Sequence, residues 1–250
     1  MLNPVSEEIY RTQSTLSSDG QTMKVSSGIS RTESLFICER IKEKPGLART
    51  LEVGCAQGLS SLAICESTRG RPGAHHYIID PFQTSDWKGA GVAALARAGL
   101  KHFTLVEERS EIALPRLLPD NEGRLDFILV DGWHTFDHTL LDCFYAIRLL
   151  KVGGCLVVDD CNMPPIAKAI RYLSNYPCLE LTHAHTDYPS GKLKNAVCRA
   201  ASIVPIPMDI RARLPRSMQR RVLQVFRRQT MVCLTKTAPD GRKWNWYKPF

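Results

Sequence analysis

Asp131 and His134 stand three residues apart in DGWHT, and the pair Asp159-Asp160 follows in LVVDDC. Carboxylates gathered in one place repel one another unless a cation neutralises them. Oxygen ligands suit magnesium, manganese or calcium rather than zinc, so a divalent ion, with magnesium expected, is assigned to Asp131, Asp159 and Asp160. His134 lies on the turn after Asp131. There a neutral imidazole beside a metal-bound hydroxyl could take its proton. Plainer roles compete with these. Asp159 could cap the turn into a helix at Pro164, Asp160 could pair with Lys168 or an arginine, and a turn histidine could simply bond backbone.

A second set of residues opens the chain's first apolar strand. In TLEVGCAQGLSSLAICE the strand ends at Glu52, and a tight loop runs from Gly54 through Cys55 and Ala56 to Gly58. The glycines let backbone approach a ligand with no side chain in the way. Ser60 is placed to cap the helix that follows, whose N-terminus then faces the ligand. The spacing E-x-G-x-x-x-G differs from the G-x-G-x-x-G of dinucleotide sites, which favours a nucleotide-like ligand without phosphates. Asp80 ends HHYIID, where an acid can accept both ribose hydroxyls of an adenosine. Ser110, in EERSEIALP, could reach an adenine edge or cap its own helix.

The elements that must hold these residues alternate. Short apolar runs bounded by Gly, Pro or Asp predict strands at Arg49–Val53, His76–Ile79, Phe103–Glu107, Phe127–Val130 and Cys155–Val158. Helices are predicted between them at Ser60–Glu66, Lys88–Ala98, Ser110–Leu117 and Phe136–Leu150, with a further one at Ile166–Asn175. Alternation of this kind, with runs such as FILV and CLVV apolar on both faces, predicts a Rossmann-like, doubly wound, mostly parallel α/β sheet covered by helices on both sides. Every polar signal above then falls at the carboxyl end of a strand, where open parallel sheets bind ligands.

Residues 1–30 read as a polar arm, and 31–250 as a single domain that begins with a helix over 31–45. Leu179–Leu181 and Met231–Leu234 are candidate closing strands. Between them a basic insertion, about 199–229, holds eight arginines against Asp209 alone, and a helix is expected near Met218–Arg228. In the tail, 238–250, Trp244, Trp246, Tyr247 and Phe250 are expected to pack on the body or cover a pocket mouth. His138 is read as surface or structural, and His183 and His185 as an exposed strand face.

Composition narrows the class. A chain of 250 residues fits one domain with extensions. No apolar run is long enough to span a bilayer, and the acidic, polar start does not resemble a secretory signal. Nine scattered cysteines with no C-x-x-C pair favour a reduced, cytoplasmic setting over disulfides or structural zinc. The net charge of +8 could attract anions. Aromatics do not interleave with the arginines, apart from Phe226, so a nucleic-acid partner is not expected.

The motifs in this order resemble class I S-adenosylmethionine-dependent methyltransferases from about Ser26 to Pro177. EVGCAQGLS is similar to the family's first motif and IIDPFQ to its ribose-binding acid, while LDFILVDGWH and LKVGGCLVVDD resemble the fourth and fifth strand motifs. The resemblance implies S-adenosylmethionine bound by Glu52, Gly54, Cys55, Ala56, Gly58, Ser60, Asp80, Ser110 and Asp131. It also implies a last antiparallel strand near Met231–Leu234, and residues 26–30 folded toward the cofactor. Asp131-x-x-His134 with Asp159-Asp160 is similar to the macrocin-type, metal-dependent O-methyltransferases, whereas catechol-type enzymes carry Asp-Asn at the pair and lack a matching histidine.

The function expected is metal-assisted methylation of a hydroxyl on a small, sugar-bearing or polyhydroxylated acceptor, with homo-oligomerisation left open. Metal-independent N- or O-methylation using His134 alone, and a non-catalytic cofactor-binding module, are the alternatives.

Overall fold

The computed structural model describes residues 2–26, 28–186 and 229–249. The basic insertion, apart from Gln229, and the helix expected near Met218–Arg228 lie outside the described residues.

The predicted alternation folds as β3 (Arg49–Val53), α3 (Leu59–Thr68), β4 (His75–Ile79), α4 (Ala90–Arg97), β5 (Phe103–Val106), α5 (Ser110–Asn121), β6 (Leu125–Val130), α6 (Phe136–Leu149), β7 (Leu150–Val158) and α7 (Pro164–Leu173). β8 (Leu179–His185) and β9 (Met231–Lys236) complete a seven-stranded sheet of order β5-β4-β3-β6-β7-β9-β8. β3, β4, β5, β6 and β7 run parallel, and β9 is antiparallel to both β7 and β8. The order reverses at β3, which places the topological switch point between the carboxyl ends of β3 and β6.

Both faces of the sheet's centre are dry because the runs Phe127–Val130 and Cys155–Val158 are apolar at every position. Ile128, Val130, Leu156, Val158, Val232 and Leu234 pack on one face with α5, α6 and α7. Phe127, Leu129, Cys155, Val157, Met231 and Cys233 pack on the other with α2 (Arg31–Lys42) and α3. This two-residue alternation fixes the register, since a slip of one residue would exchange the two layers.

The first thirty residues are more ordered than the sequence suggests. They form α1 (Pro4–Thr12) and the hairpin β1 (Ser14–Leu16)/β2 (Thr22–Lys24). The Asn3 side chain caps α1 by accepting from Val5 N, and Pro4 stands in the first turn. Only one large apolar side chain of α1, Ile9, is fully buried. The helix is held as much by polar ties: Asn3 Nδ2 donates to Glu66, Arg97 to Glu8, and Tyr10 to the Ile29 and Ser30 carbonyls. A hydrophobic pattern could not announce such a helix. α2 starts with a capping box in which Ser30 and Glu33 bond each other's backbone N–H.

Candidate active site

A cavity of about 930 Å³ opens over the carboxyl ends of β3, β4, β6 and β7. Gly54, Cys55, Ala56, Ser60, Asp80, Ser110, Asp131, His134, Asp159 and Asp160 all line it. Glu52 does not. It is fully buried beneath the loop, where its Oε1 accepts from Ser61 and lies 3.3 Å from His76 Nε2.

The glycine loop is shaped by backbone crowding within the protein. Gly54 has φ +87° and a Cβ there would overlap the Asp131 carbonyl, while one on Gly58, φ +85°, would lie 2.8 Å from Gly91 Cα. The ends of β3 and β6, and the start of α3 against α4, can approach only through these glycines. Ala56 is itself left-handed, φ +45°, and a non-glycine residue in that region carries strain. Gly58 is the N-cap of α3 and no side chain caps the helix, so Ser60 sits within the first turn and does not cap it.

Asp80 locks this loop. Its Oδ2 accepts from Cys55 N at 3.0 Å, Ala56 N at 2.8 Å and Gln83 Nε2 at 3.2 Å, and its Oδ1 accepts from Phe82 N at 2.9 Å. Oδ1 keeps acceptor capacity toward the cavity. The arm closes the other side. Gly28 and Ile29 line the cavity, and Gln57 bridges from the loop to Ser26 N and the Lys24 carbonyl.

At the β6–β7 side, donor atoms of Asp131, His134 and Asp160 lie within 4.8 Å of one another. His134 Nε2 is 3.4 Å from Asp131 Oδ1 and 3.1 Å from Asp160 Oδ2. The two carboxylates on one cavity wall form an oxygen donor set that fits a small divalent cation such as magnesium or manganese, with the His134 imidazole beside them. Asp159 lines the same cavity outside that trio, and its Oδ1 accepts from Asp160 N at 2.7 Å. Asp160 is left-handed, φ +52°, so the backbone turns sharply after Asp159. α7 begins at an N-cap, Met163, with no side-chain bond, so Asp159 does not cap it.

Burial dominates the electrostatics here. It pushes the Asp131 carboxyl up to about 6, helped by the Asp160 charge and opposed by the His134 hydrogen bond. Asp159 is raised well above the carboxylate range by burial and then by the charges of Asp131, Glu33 and Asp160. The hydrogen bond from His134 to Asp131 raises the imidazole above its ordinary value.

Several lining residues were given no role from the sequence: Glu33, Phe82, Trp87, Arg109, Glu111 and Thr135. The S-x-x-E capping box at Ser30–Glu33 was legible in the sequence and would have placed Glu33 at a helix start. His138, read as surface or structural, faces the cavity with Nδ1 2.8 Å from Thr135 Oγ1. Among the described residues of the tail none lines the cavity, and Phe250 lies outside the described residues. Trp246 packs on Tyr172 and Tyr176, Arg242 lies 3.4 Å over the Tyr176 ring, and Trp244 and Tyr247 are exposed. His183 and His185 lie away from the cavity, with His185 against the Phe36 ring.

Residues 51–161 match the family model described as a methyltransferase domain. No curated protein sequence matches the chain. Among solved structures, the chain is similar to the O-methyltransferase TomG of Streptomyces achromogenes, which is involved in tomaymycin synthesis and was solved with SAM. Identity is 14%, covering 84% of this chain and 82% of that one, with a TM-score of 0.58. It is also similar to the SAH-bound methyltransferase PaMTH1 of Podospora anserina, at 20% identity over 72% of this chain and 82% of that one, TM-score 0.57. The O-methyltransferase of Bacillus cereus in complex with SAH is 15% identical over 64% of this chain and 77% of that one, TM-score 0.55. Residues 51–161 are thus similar to a methyltransferase domain, and the chain has the Rossmann-like fold that these enzymes share.

Proposed function

We propose that the protein is a class I S-adenosylmethionine-dependent methyltransferase that methylates a hydroxyl of a small molecule with the help of a divalent cation. One observation carries the reading: a single cavity joins the glycine loop and Asp80 on one side to Asp131, His134 and Asp160 on the other. S-adenosylmethionine then lies over the ends of β3 and β4, with its nucleoside toward Asp80 and Ser110 and its sulfonium toward Asp131. The SAM- and SAH-bound neighbours support the same cofactor.

The acceptor oxygen attacks the methyl carbon in line with the carbon–sulfur bond. The bonding pair leaves with sulfur, giving S-adenosylhomocysteine and a methyl ether. A neutral alcohol is a weak nucleophile, so its proton must go to a base. His134 is that base, oriented by Asp131 and Asp160 and made more basic by them. A divalent cation held by Asp131 and Asp160, with Asp159 close by, would neutralise the acids and acidify the acceptor hydroxyl.

The macrocin-type subgroup and a sugar-bearing or polyhydroxylated acceptor are part of this proposal. They rest on Asp160 in place of asparagine and on His134. A reduced, cytoplasmic setting suits the described cysteines, which are all free and buried. Among the described residues no helix is long and apolar enough to cross a membrane.

Manganese binding, followed by its electron-spin signal with S-adenosylhomocysteine present, tests the metal assignment. Saturable binding to the wild type that is lost in Asp131→Ala/Asp160→Ala is expected. Wild-type protein that binds S-adenosylhomocysteine but no manganese would overturn the metal and leave His134 as an unaided base.

A further inference from the structure

Between α2 and the sheet runs a polar seam that the mechanism above does not use. Lys44 lies just past Glu43, the C-cap of α2. Its ammonium reaches across to β7, where it donates to the Gly153 carbonyl and to Cys155 Sγ, the latter at 3.0 Å. The seam continues over the neighbouring strands. Cys155 Sγ lies 4.0 Å from Thr235 Oγ1, which is 3.0 Å from Thr182 Oγ1. Among the described residues Cys155 is the only cysteine whose sulfur is bonded by a cationic side chain.

A cation beside sulfur favours the thiolate, the nucleophilic form of cysteine. Hydrogen bonding from Cys233 pulls the Cys155 thiol down to about 6, burial opposes this, and Lys44 adds to the fall. Every other described cysteine is raised. Cys155 is only 3% exposed, so bulky reagents are shut out. A small one needs only to pass the half-buried Lys44 side chain beside the exposed residues 151–153. Cys233 is badly placed as a disulfide partner. Cys155 stands opposite Thr235, and Cys233 opposite Val157, so the two cysteines are diagonal neighbours. Such positions lie about 7–8 Å apart, against the roughly 5.5–6 Å that a disulfide prefers. The Lys44 nitrogen, on a flexible stem, is the nucleophile already in contact.

We propose that Cys155 and Lys44 form a modification site at which hydrogen peroxide joins them through a covalent sulfur–nitrogen bond. The thiolate attacks one peroxide oxygen. A sulfur–oxygen bond forms, the oxygen–oxygen bond breaks and hydroxide leaves, so sulfur is oxidised by two electrons and the peroxide is reduced. The hydroxide takes a proton from the Lys44 ammonium, giving water and a free amine. The amine nitrogen then attacks sulfur, the sulfur–oxygen bond breaks, and the departing hydroxide takes an amine proton as a second water. Thiolate, ammonium and peroxide thus give a sulfenamide and two waters. The bond would tie the end of α2, whose first turn carries Glu33 to the cavity, to the strand that ends beside Asp159. The inference is independent of the cofactor and metal readings.

The test treats the full chain with hydrogen peroxide and maps its non-reduced peptides by mass spectrometry. The peptide holding Cys155 should appear joined to the one holding Lys44, lighter than their sum by two hydrogens, and a thiol reductant should separate them. Lys44→Arg keeps the cation, so Cys155 should still be oxidised to a sulfenic acid that dimedone traps, with the cross-link lost. Lys44→Met should slow that oxidation by about tenfold. Cross-linked wild type should melt several degrees above its reduced form, a shift that Cys155→Ser should not show. A Cys155–Cys233 disulfide, oxidation of Cys155 without joining to Lys44, or a Cys155 that stays unreacted would each overturn the proposal. The wild-type peptide map decides among these even where a variant fails to fold.

Discussion

The carboxylates on the glycine-loop side of the cavity and those on the β6–β7 side are treated differently by the protein. Asp80 receives three backbone N–H groups and the Gln83 amide. Asp131 receives only the His134 ring among the described residues, and Asp159 only the backbone N–H of its own neighbour. Asp80 and Asp159 are both buried, so between these two the difference lies in supply of donors and not in access to water. A buried carboxylate with its donors in place is a structural part, since the charged form is already solvated by the chain. One without them must stay protonated, find a cation or bind a ligand. The loop side is therefore rigid before anything binds, and the β6–β7 side is completed by what binds.

The strongest way to break this contrast is at His134, the group that now serves both Asp131 and Asp160. His134→Ala should lower kcat by about 10²- to 10⁴-fold, the range for loss of a general base. Its side chain is 41% exposed, so thermal stability should change little, and S-adenosylhomocysteine affinity should stay within a few fold. Steady-state kinetics beside calorimetric binding would check both halves. If kcat hardly changed, the imidazole would be only a counter-charge for the acids.

Much of this contrast could be read from the sequence, and the part that could not has a physical reason. The motif residues fall at strand ends because β3, β4, β6 and β7 are short apolar runs that stop at a polar residue. Their period and boundaries are therefore printed in the chain. The trio at the β6–β7 side was expected to be Asp131, Asp159 and Asp160. The structure brings together Asp131, His134 and Asp160 instead. Two adjacent residues cannot both face one point unless the backbone turns, and the left-handed φ of Asp160 is invisible to spacing. Asp80 as the loop's lock was hidden for a related reason. Its partners are backbone N–H groups of residues 55, 56 and 82, and backbone donors leave no mark on side-chain pattern. α1 escaped because polar ties, and few buried apolar residues, hold it.

A second break comes at Asp142 on α6, fully buried with neither oxygen closing a hydrogen bond of good geometry, the extreme of the unsupplied class. Burial pushes its carboxyl up to about 6, with the Ser110 hydroxyl and His138 opposing and the Glu111 charge adding. The folded state therefore binds this proton more tightly than the unfolded chain. Between about pH 4 and pH 6 stability falls as pH rises, and above that range the whole penalty is present. Asp142→Asn removes a buried charge while keeping the shape. The variant should be more stable than wild type at pH 7 by roughly 2 kcal/mol. The gain should shrink as pH drops through about 6 and be gone near pH 4. Urea unfolding at pH 4.5 and pH 7 would measure it. A variant less stable at pH 7 would mean that the protein supplies Asp142 with donors after all.

The smallest effect sharpens the comparison from the supplied side, at Asp126. Its Oδ2 accepts from Ala48 N at 2.9 Å and Arg49 N at 2.8 Å, and Lys151 pairs with Oδ1. Burial opposes its charge, yet the Lys151 hydrogen bond and the two backbone bonds together hold the carboxyl below its ordinary value. The sign is opposite to that of Asp142. Here the unfolded chain binds the proton more tightly, so the stabilising contribution is present above about pH 4 and is lost as pH falls through the lowered folded value. Asp126→Asn keeps an amide oxygen for the backbone donors and gives up only the charge facing a half-exposed lysine. The variant should be less stable than wild type by about 1 kcal/mol at pH 7, with the deficit closing toward pH 3. Measured in one urea series with Asp142→Asn, the two variants should diverge from wild type in opposite directions at neutral pH and converge on it in acid. Parallel shifts would mean that donor supply does not separate the two classes of carboxylate.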